Sequence, residues 1–197
     1  MTAFTLVFMI LLLLIYFFLV FFSSFLAPLN LLVRAWVDNN RNLRLRPLMI
    51  LTHRYNDVLS LSVQLIVLSL LLSLIWGDWR RAMVLLSAMF VLTTVVGASK
   101  RLTSIDRPPQ LISHVIMTTG SYPSGHSASS LMFALLVPTM LAPYLALPIL
   151  IIGAVFLFLI ALMTAYGRLY LDVHWLTDIV GGWALAGAIY LFCRQFI

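Results

Sequence analysis

The chain has 197 residues, 63% of them hydrophobic and 9% charged, with a mean hydropathy of +1.09. A soluble domain is about half apolar and a quarter charged, so these proportions exclude one and describe a polytopic membrane protein. The net charge of +6 comes almost wholly from arginine, with Lys100 as the one lysine, and points to membrane topology and anionic head groups instead of nucleic acid.

Residues 1–33 carry no charge. A signal peptide would have an apolar region of about 7–15 residues behind a basic start, whereas this run is longer and lacks that start. It is expected to be one retained transmembrane span over 3–33. Residues 34–57 form a polar segment with Arg34, Arg41, Arg44, Arg46 and Arg54 against Asp38 and Asp57. A charge-free run predicts a second span over 58–77. Gly77-Asp78-Trp79-Arg80-Arg81 is a turn with an interfacial Trp, and 82–99 reads as the third span.

Lys100 to Gly125 is a second polar loop containing Pro108, Pro109, Gly120 and Pro123. The charge-free stretch 127–167 is about twice a bilayer crossing, so it must fold back. Pro143 and Pro148 put the turn near Ala142 to Leu147, which predicts spans over 125–142 and 147–167, with Pro138 placed to kink the first. Arg168 to Asp178 is a short polar link before the last span, 176–194. That span holds Gly181, Gly182, Ala184, Ala186, Gly187 and Ala188, small residues that let helices approach closely in lipid. Cys193 is the one cysteine, which excludes an intramolecular disulfide, and it reads as apolar filler. The expected fold is all-α: a single domain, 1–197, with six transmembrane helices in one bundle.

Parity organises the polar residues. The Lys100–His126 loop and the Arg168–Asp178 link are two spans apart and face the same side, as does 34–57. Lys100, Arg107, His126, Arg168, His174 and Asp178 can therefore gather at one membrane face. Asp78, Arg80, Arg81 and Arg194 stay at the other. In Pro123-Ser124-Gly125-His126, Ser124 is a good N-cap and Gly125 lets backbone approach a ligand. His174 and Asp178, four apart, suit an imidazole oriented by a carboxylate. Three cations, two histidines and an anion-friendly helix start suggest phosphoryl transfer. Each piece has a plainer reading: basic residues at a membrane rim are commonly anchors, and a lone loop histidine is commonly incidental. His53 and His114 are read in that plainer way.

Lys100-x6-Arg107-Pro108, then Pro123-Ser124-Gly125-His126, then Arg168-x5-His174-x3-Asp178 resemble the three-part signature of the type 2 phosphatidic acid phosphatase (PAP2) superfamily. One position departs: the third motif commonly begins Ser-Arg, and here Gly167 precedes Arg168. The resemblance implies that His174 is the nucleophile of a phosphohistidine, oriented by Asp178, with His126 as general acid. It implies that Lys100, Arg107, Ser124, Gly125 and Arg168 hold the phosphate, and that no metal or other cofactor is needed.

The implied function is hydrolysis of a phosphomonoester or pyrophosphate on a membrane lipid, such as phosphatidylglycerophosphate, phosphatidate or undecaprenyl pyrophosphate. The implied partners are that substrate and the lipid bilayer, with no nucleic acid and the oligomeric state open. An anion or lipid-phosphate transporter and a non-catalytic membrane scaffold are the alternatives. Transporters usually place charge near the midplane of the bilayer, and these spans are nearly free of it. Two signals bear on the side. The arginines of 34–57 point the active face to the cytoplasm, while the resemblance implies the outer face of a bacterial inner membrane, and the reading leans extracytoplasmic.

Overall fold

The computed structural model describes residues 2–114 and 116–197. Its helices are α1 (Ala3–Phe21), α2 (Ala27–Asn39), α3 (Arg46–Tyr55), α4 (Val58–Leu70), α5 (Trp79–Thr103), α6 (Gly125–Leu141), α7 (Leu147–Tyr170) and α8 (Leu176–Cys193). A wider turn, Leu71–Ile75, prolongs α4. Among the described residues there is no strand. Five elements are long and apolar enough to cross a membrane: Ala3–Phe21, Val58–Ile75, Trp79–Thr103, Leu147–Tyr170 and Leu176–Phe196. The 17 residues of α6 make a shorter apolar helix inside the bundle, about 26 Å long at 1.5 Å per residue.

The stretch expected as one span over 3–33 is divided. The first helix ends at Phe21, residues 22–26 turn, and α2 begins with Pro28 in its first turn. Proline cannot continue a helix through its own missing N–H but is well suited to starting one. The second and third spans also shift, to 58–75 and 79–103, because Asp78 caps the N-terminus of α5: its carboxylate accepts from the Arg81 N–H at 3.0 Å. Around Pro143 and Pro148 the chain turns between Leu141 and Leu147. The helix around Pro138 remains unbroken.

The bundle core lies between α5, α6 and α8, where Leu85, Ala88, Met132, Leu136 and Ala186 are fully buried. Outside it, α1, α4 and α7 present large apolar side chains, such as Phe17, Ile66 and Phe156, to the lipid. Lipid tails are as apolar as these side chains, so close packing and interhelical hydrogen bonds hold such a bundle together. Tyr16 bonds Ser99 at 2.5 Å between α1 and α5, and Thr139 bonds Tyr190 at 3.1 Å between α6 and α8.

Helices α2 and α3 are the exceptions to the spanning pattern. Each is short and amphipathic, and α3 buries only Met49, Thr52 and His53. It packs on α7, pinned where Asn56 donates to Thr164 Oγ1 at 2.8 Å. The N-terminal part of α1 and the C-terminal end of α8 line one apolar groove through Met9, Leu13, Phe192 and Phe196. Both chain ends are therefore at the same end of the bundle, and α2 and α3 cover the other.

Candidate active site

At the end covered by α2 and α3, the C-termini of α5 and α7 meet the N-termini of α6 and α8. His174 is held in the loop just before α8, not on the helix, so its meeting with Asp178 comes from capping. The Asp178 carboxylate sits in the first turn of α8 and accepts from the Trp175 N–H at 2.7 Å. The same Oδ2 is 3.2 Å from His174 Nδ1 and also accepts from the Ser121 hydroxyl. Asn30 of α2 completes the cap: its Oδ1 accepts from the Thr177 N–H at 3.2 Å, and its Nδ2 donates to Thr177 Oγ1 at 3.0 Å.

These contacts select a tautomer. A carboxylate accepts, so His174 Nδ1 carries the proton and donates it. On the other side of the ring, Arg107 Nη1 stands 3.3 Å from His174 Nε2, and a guanidinium only donates. Both neighbours therefore leave the lone pair on Nε2. Burial, and then the cations Arg168, Lys100 and Arg107, push the His174 pKa well below its ordinary value. The ring is neutral, with the proton on Nδ1 and the lone pair on Nε2.

The three cations differ in how much of them is free. Arg107 donates through Nε to Thr119 O at 2.9 Å, through Nη2 to Gly120 O at 3.1 Å and through Nη1 to Val173 O at 2.5 Å. It ties the 119–120 loop to the His174 loop. Lys100 donates to Gly120 O at 3.0 Å and Ser121 O at 3.1 Å, which leaves its third ammonium proton. Arg168 is 1% exposed, and among the described residues nothing bonds its Nε or Nη2. A buried guanidinium with an open edge is costly unless an anion arrives to fill it.

The Pro-Ser-Gly-His turn lies against α8. The Ser124 N–H donates to Asp178 O at 2.9 Å, and Gly182 sits where a Cβ would come within 2.7 Å of Ser124 O. Gly181 likewise makes room for the ring of Tyr122. The small residues of α8 thus serve the turn before the site. Ser124 Oγ is occupied as the α6 cap, 3.4 Å from Ser127 N and 2.9 Å from Ser127 Oγ. His126 falls in the first turn of α6, and among the described residues its Nε2 is buried without a partner. The first intrahelical bond of α6 is Ala128 N to Ser124 O, so the amides of Gly125 and His126 precede it.

Two residues read as incidental stand in the site. His53 Nδ1 is 2.6 Å from Arg168 Nη1, and its ring stacks on His126 at a centroid separation of 4.5 Å. His114 meets His53 edge-on at 4.7 Å. Ser121 and Asn30 were missed as well. The neighbours of α3 also explain the departure at Gly167, where a Cβ would lie 3.3 Å from Thr52 Oγ1 and 3.4 Å from Met49 Sδ. Close docking of α3 makes a larger side chain there a tight fit, one that Thr52 must give way to by a few tenths of an ångström.

Comparisons with known proteins bear on the family and the fold. The family model described as "PAP2 superfamily" matches residues 81–197. Among solved structures, the chain resembles a transmembrane PAP2-type phosphatidylglycerolphosphate phosphatase from Bacillus subtilis, with a TM-score of 0.81 and 18% identity over 98% of this chain and 94% of that one. LpxE from Aquifex aeolicus gives a TM-score of 0.66 and 24% identity, over 85% of this chain and 94% of that one. Comparison with curated proteins gives no match.

Proposed function

This chain belongs to the PAP2 superfamily and is a PAP2-type membrane phosphatase, and from that premise we propose that it hydrolyses a phosphate or pyrophosphate group from a membrane lipid through a phosphohistidine on His174. The observation that carries the reading is the unprotonated Nε2 of His174, on a ring fixed by Asp178 behind and Arg107 beside it, in a site where Arg168 has an open edge.

In the first step Nε2 attacks phosphorus and the bond to the leaving oxygen breaks. Arg168, Lys100 and Arg107, with the Gly125 amide, neutralise the charge spread over the equatorial oxygens. The phosphate dianion supplies the negative charge that lets His126 hold a second proton, which passes to the leaving lipid alcohol or phosphate. In the second step neutral His126 takes a proton from water, whose oxygen attacks phosphorus. The P–N bond then breaks, returning inorganic phosphate and neutral His174. No step calls for a metal, because fixed cations supply the positive charge.

Access supports a lipid substrate. A cavity of about 250 Å³ opens between α4 and α5, walled by Leu61, Leu65, Met89 and Leu92 and floored by Gly125 and His126. An acyl or prenyl tail in that cleft would bring its head group to the site from within the membrane. Phosphatidylglycerophosphate, phosphatidate and undecaprenyl pyrophosphate all fit that description, and the rim arginines favour a substrate with two phosphates. We place the enzyme in a bacterial inner membrane with the active face outside.

Phosphate release from these three lipids, in EDTA, tests the function. Release by the wild type, blocked by vanadate and abolished in His174→Ala, is the expected result; full activity in that variant would sink the mechanism. A reporter fused at Ile197 tests the side, since the C-terminus lies at the end opposite the site and should be cytoplasmic.

A further inference from the structure

His53 belongs to none of the three motifs and sits on a helix that does not cross the membrane. Its ring is nevertheless buried against the two groups that must act together, the guanidinium of Arg168 and the imidazole of His126. Because a guanidinium only donates, His53 Nδ1 accepts at 2.6 Å and the ring proton is on Nε2. That contact engages one N–H of Arg168 Nη1. The two nitrogens left over, Nε and Nη2, form the side-on edge of the guanidinium, the fork that grips two oxygens of a phosphate.

We propose that His53 is a positioning residue for phosphate hydrolysis: it holds Arg168 by Nη1 so that the Nε–Nη2 edge faces the phosphate, while its ring face orients His126 toward the leaving oxygen. The inference rests on the function proposed above. The stack with His126 is near parallel, 21° between planes at 4.5 Å, so the ring of His53 limits the tilt of the proton carrier. Other charged or titratable groups near His53 are His114 on its edge, with Arg54 and Asp57 nearby on the chain. Burial, and then Arg168, lower the His53 pKa to about 4, which keeps the ring a neutral acceptor in ordinary buffers.

Two substitutions separate the two duties. His53→Phe keeps a ring for His126 but removes the acceptor. His53→Gln keeps an acceptor but removes the ring. The first is expected to raise KM for the lipid phosphate and weaken vanadate inhibition by roughly tenfold, the scale of leaving one buried donor unpaired. The second is expected to keep vanadate affinity within a few-fold and to lower kcat. In an Arg168→Lys background, His53→Phe should add nothing to KM, because its effect runs through the guanidinium.

Wild-type KM and vanadate inhibition in His53→Phe overturn the proposal, as does a full additive loss in the double variant. If the Phe variant does not fold, the Gln variant decides: wild-type kcat removes the stacking role, and lost vanadate affinity removes the acceptor role. If the wild type releases phosphate from no lipid, the functional reading fails by itself. Vanadate protection against thermal unfolding, compared between wild type and His53→Phe, then still tests the pairing with Arg168.

Discussion

Arg41, just past the end of α2, places Nη2 2.7 Å from Oδ1 of Asp172, in the loop that carries His174. Asp172 is buried, and its φ of 55° is left-handed, a conformation that Asp tolerates better than most side chains. The Arg41 guanidinium also lies 5.5 Å from the centre of the Tyr170 ring and bonds Asp38 at 2.6 Å. Arg41 therefore fixes the entry to the loop that carries His174. Arg41→Ala leaves a buried carboxylate unpaired, at a cost of about 3 kcal/mol. The expected result is a lower melting temperature in detergent together with a reduced kcat. Asp172→Asn should retain the turn better than Asp172→Val. Unchanged stability and activity in Arg41→Ala would separate the ion pair from the site.

Gly182 inverts the usual effect of alanine in a helix. Replacing an interior helical glycine by alanine commonly gains about 1 kcal/mol of helix propensity. Here the new methyl would stand 2.7 Å from Ser124 O and 3.4 Å from the Ala128 Cβ, so the Pro-Ser-Gly-His turn must move. Overpacking of this kind costs about 1–3 kcal/mol. Gly182→Ala should therefore lower stability and, by displacing Gly125 and His126, cut kcat at least tenfold. Gly153, on lipid-facing α7 with open space at its Cβ, is the control: Gly153→Ala should leave activity unchanged. Equal behaviour of the two variants in melting and turnover would contradict the close approach of α8 to the turn.

If His174 is the nucleophile proposed above, acid should not disable it at the usual histidine pH. Attack requires neutral His174, and burial beside Arg168, Lys100 and Arg107 lowers its pKa well below the ordinary value. A lowered pKa extends the deprotonated form to lower pH. Once the substrate's own phosphate ionisation is divided out, the acid limb of kcat/KM should fall below pH 6.5, the ordinary histidine value. The ionisation itself can be followed separately by phosphorus NMR. An acid limb centred at or above that pH would mean that His174 is more solvated than the structure has it.

The motif residues were legible in advance because charge is so scarce in this chain. Where spans carry almost none, Lys100, Arg107, Arg168 and Asp178 can lie only at rims, and parity assigns each rim a side. What escaped detection depends on α3. The contact of His53 with Arg168 joins residues 115 apart in sequence, and nothing local to His53 announces it. It arises when a short amphipathic helix docks on α7, with Gly167 at the contact. The division of residues 3–33 did have a signal, Pro28, overridden by the absence of charge. The pairing of His174 with Asp178 was anticipated from helical spacing, yet it comes from a cap, with the Trp175 amide on the same carboxylate oxygen.

At the end of the bundle away from the site, Asp78 offers a change that should affect stability and spare the chemistry. Its carboxylate caps α5, bonds Arg81 Nη1 at 2.7 Å and accepts from the Tyr144 hydroxyl at 2.6 Å. The Tyr144 bond foremost, then the Arg81 amide, lowers its pKa from 3.8 to about 2. A depressed carboxylate pKa stabilises the folded state above the unfolded value, and that contribution is lost as pH falls through the folded one. The loss should therefore fall between about pH 4 and pH 2. Asp78→Ala removes the cap and should cost about 1 kcal/mol at neutral pH. Its melting temperature should also fall less than the wild type's on acidification across that window, since the titrating group is gone. Below the melting transition its kcat should equal the wild-type value, because Lys100, at the far end of the same helix, is undisturbed. A kcat deficit at full folding would show instead that the two ends of α5 are coupled.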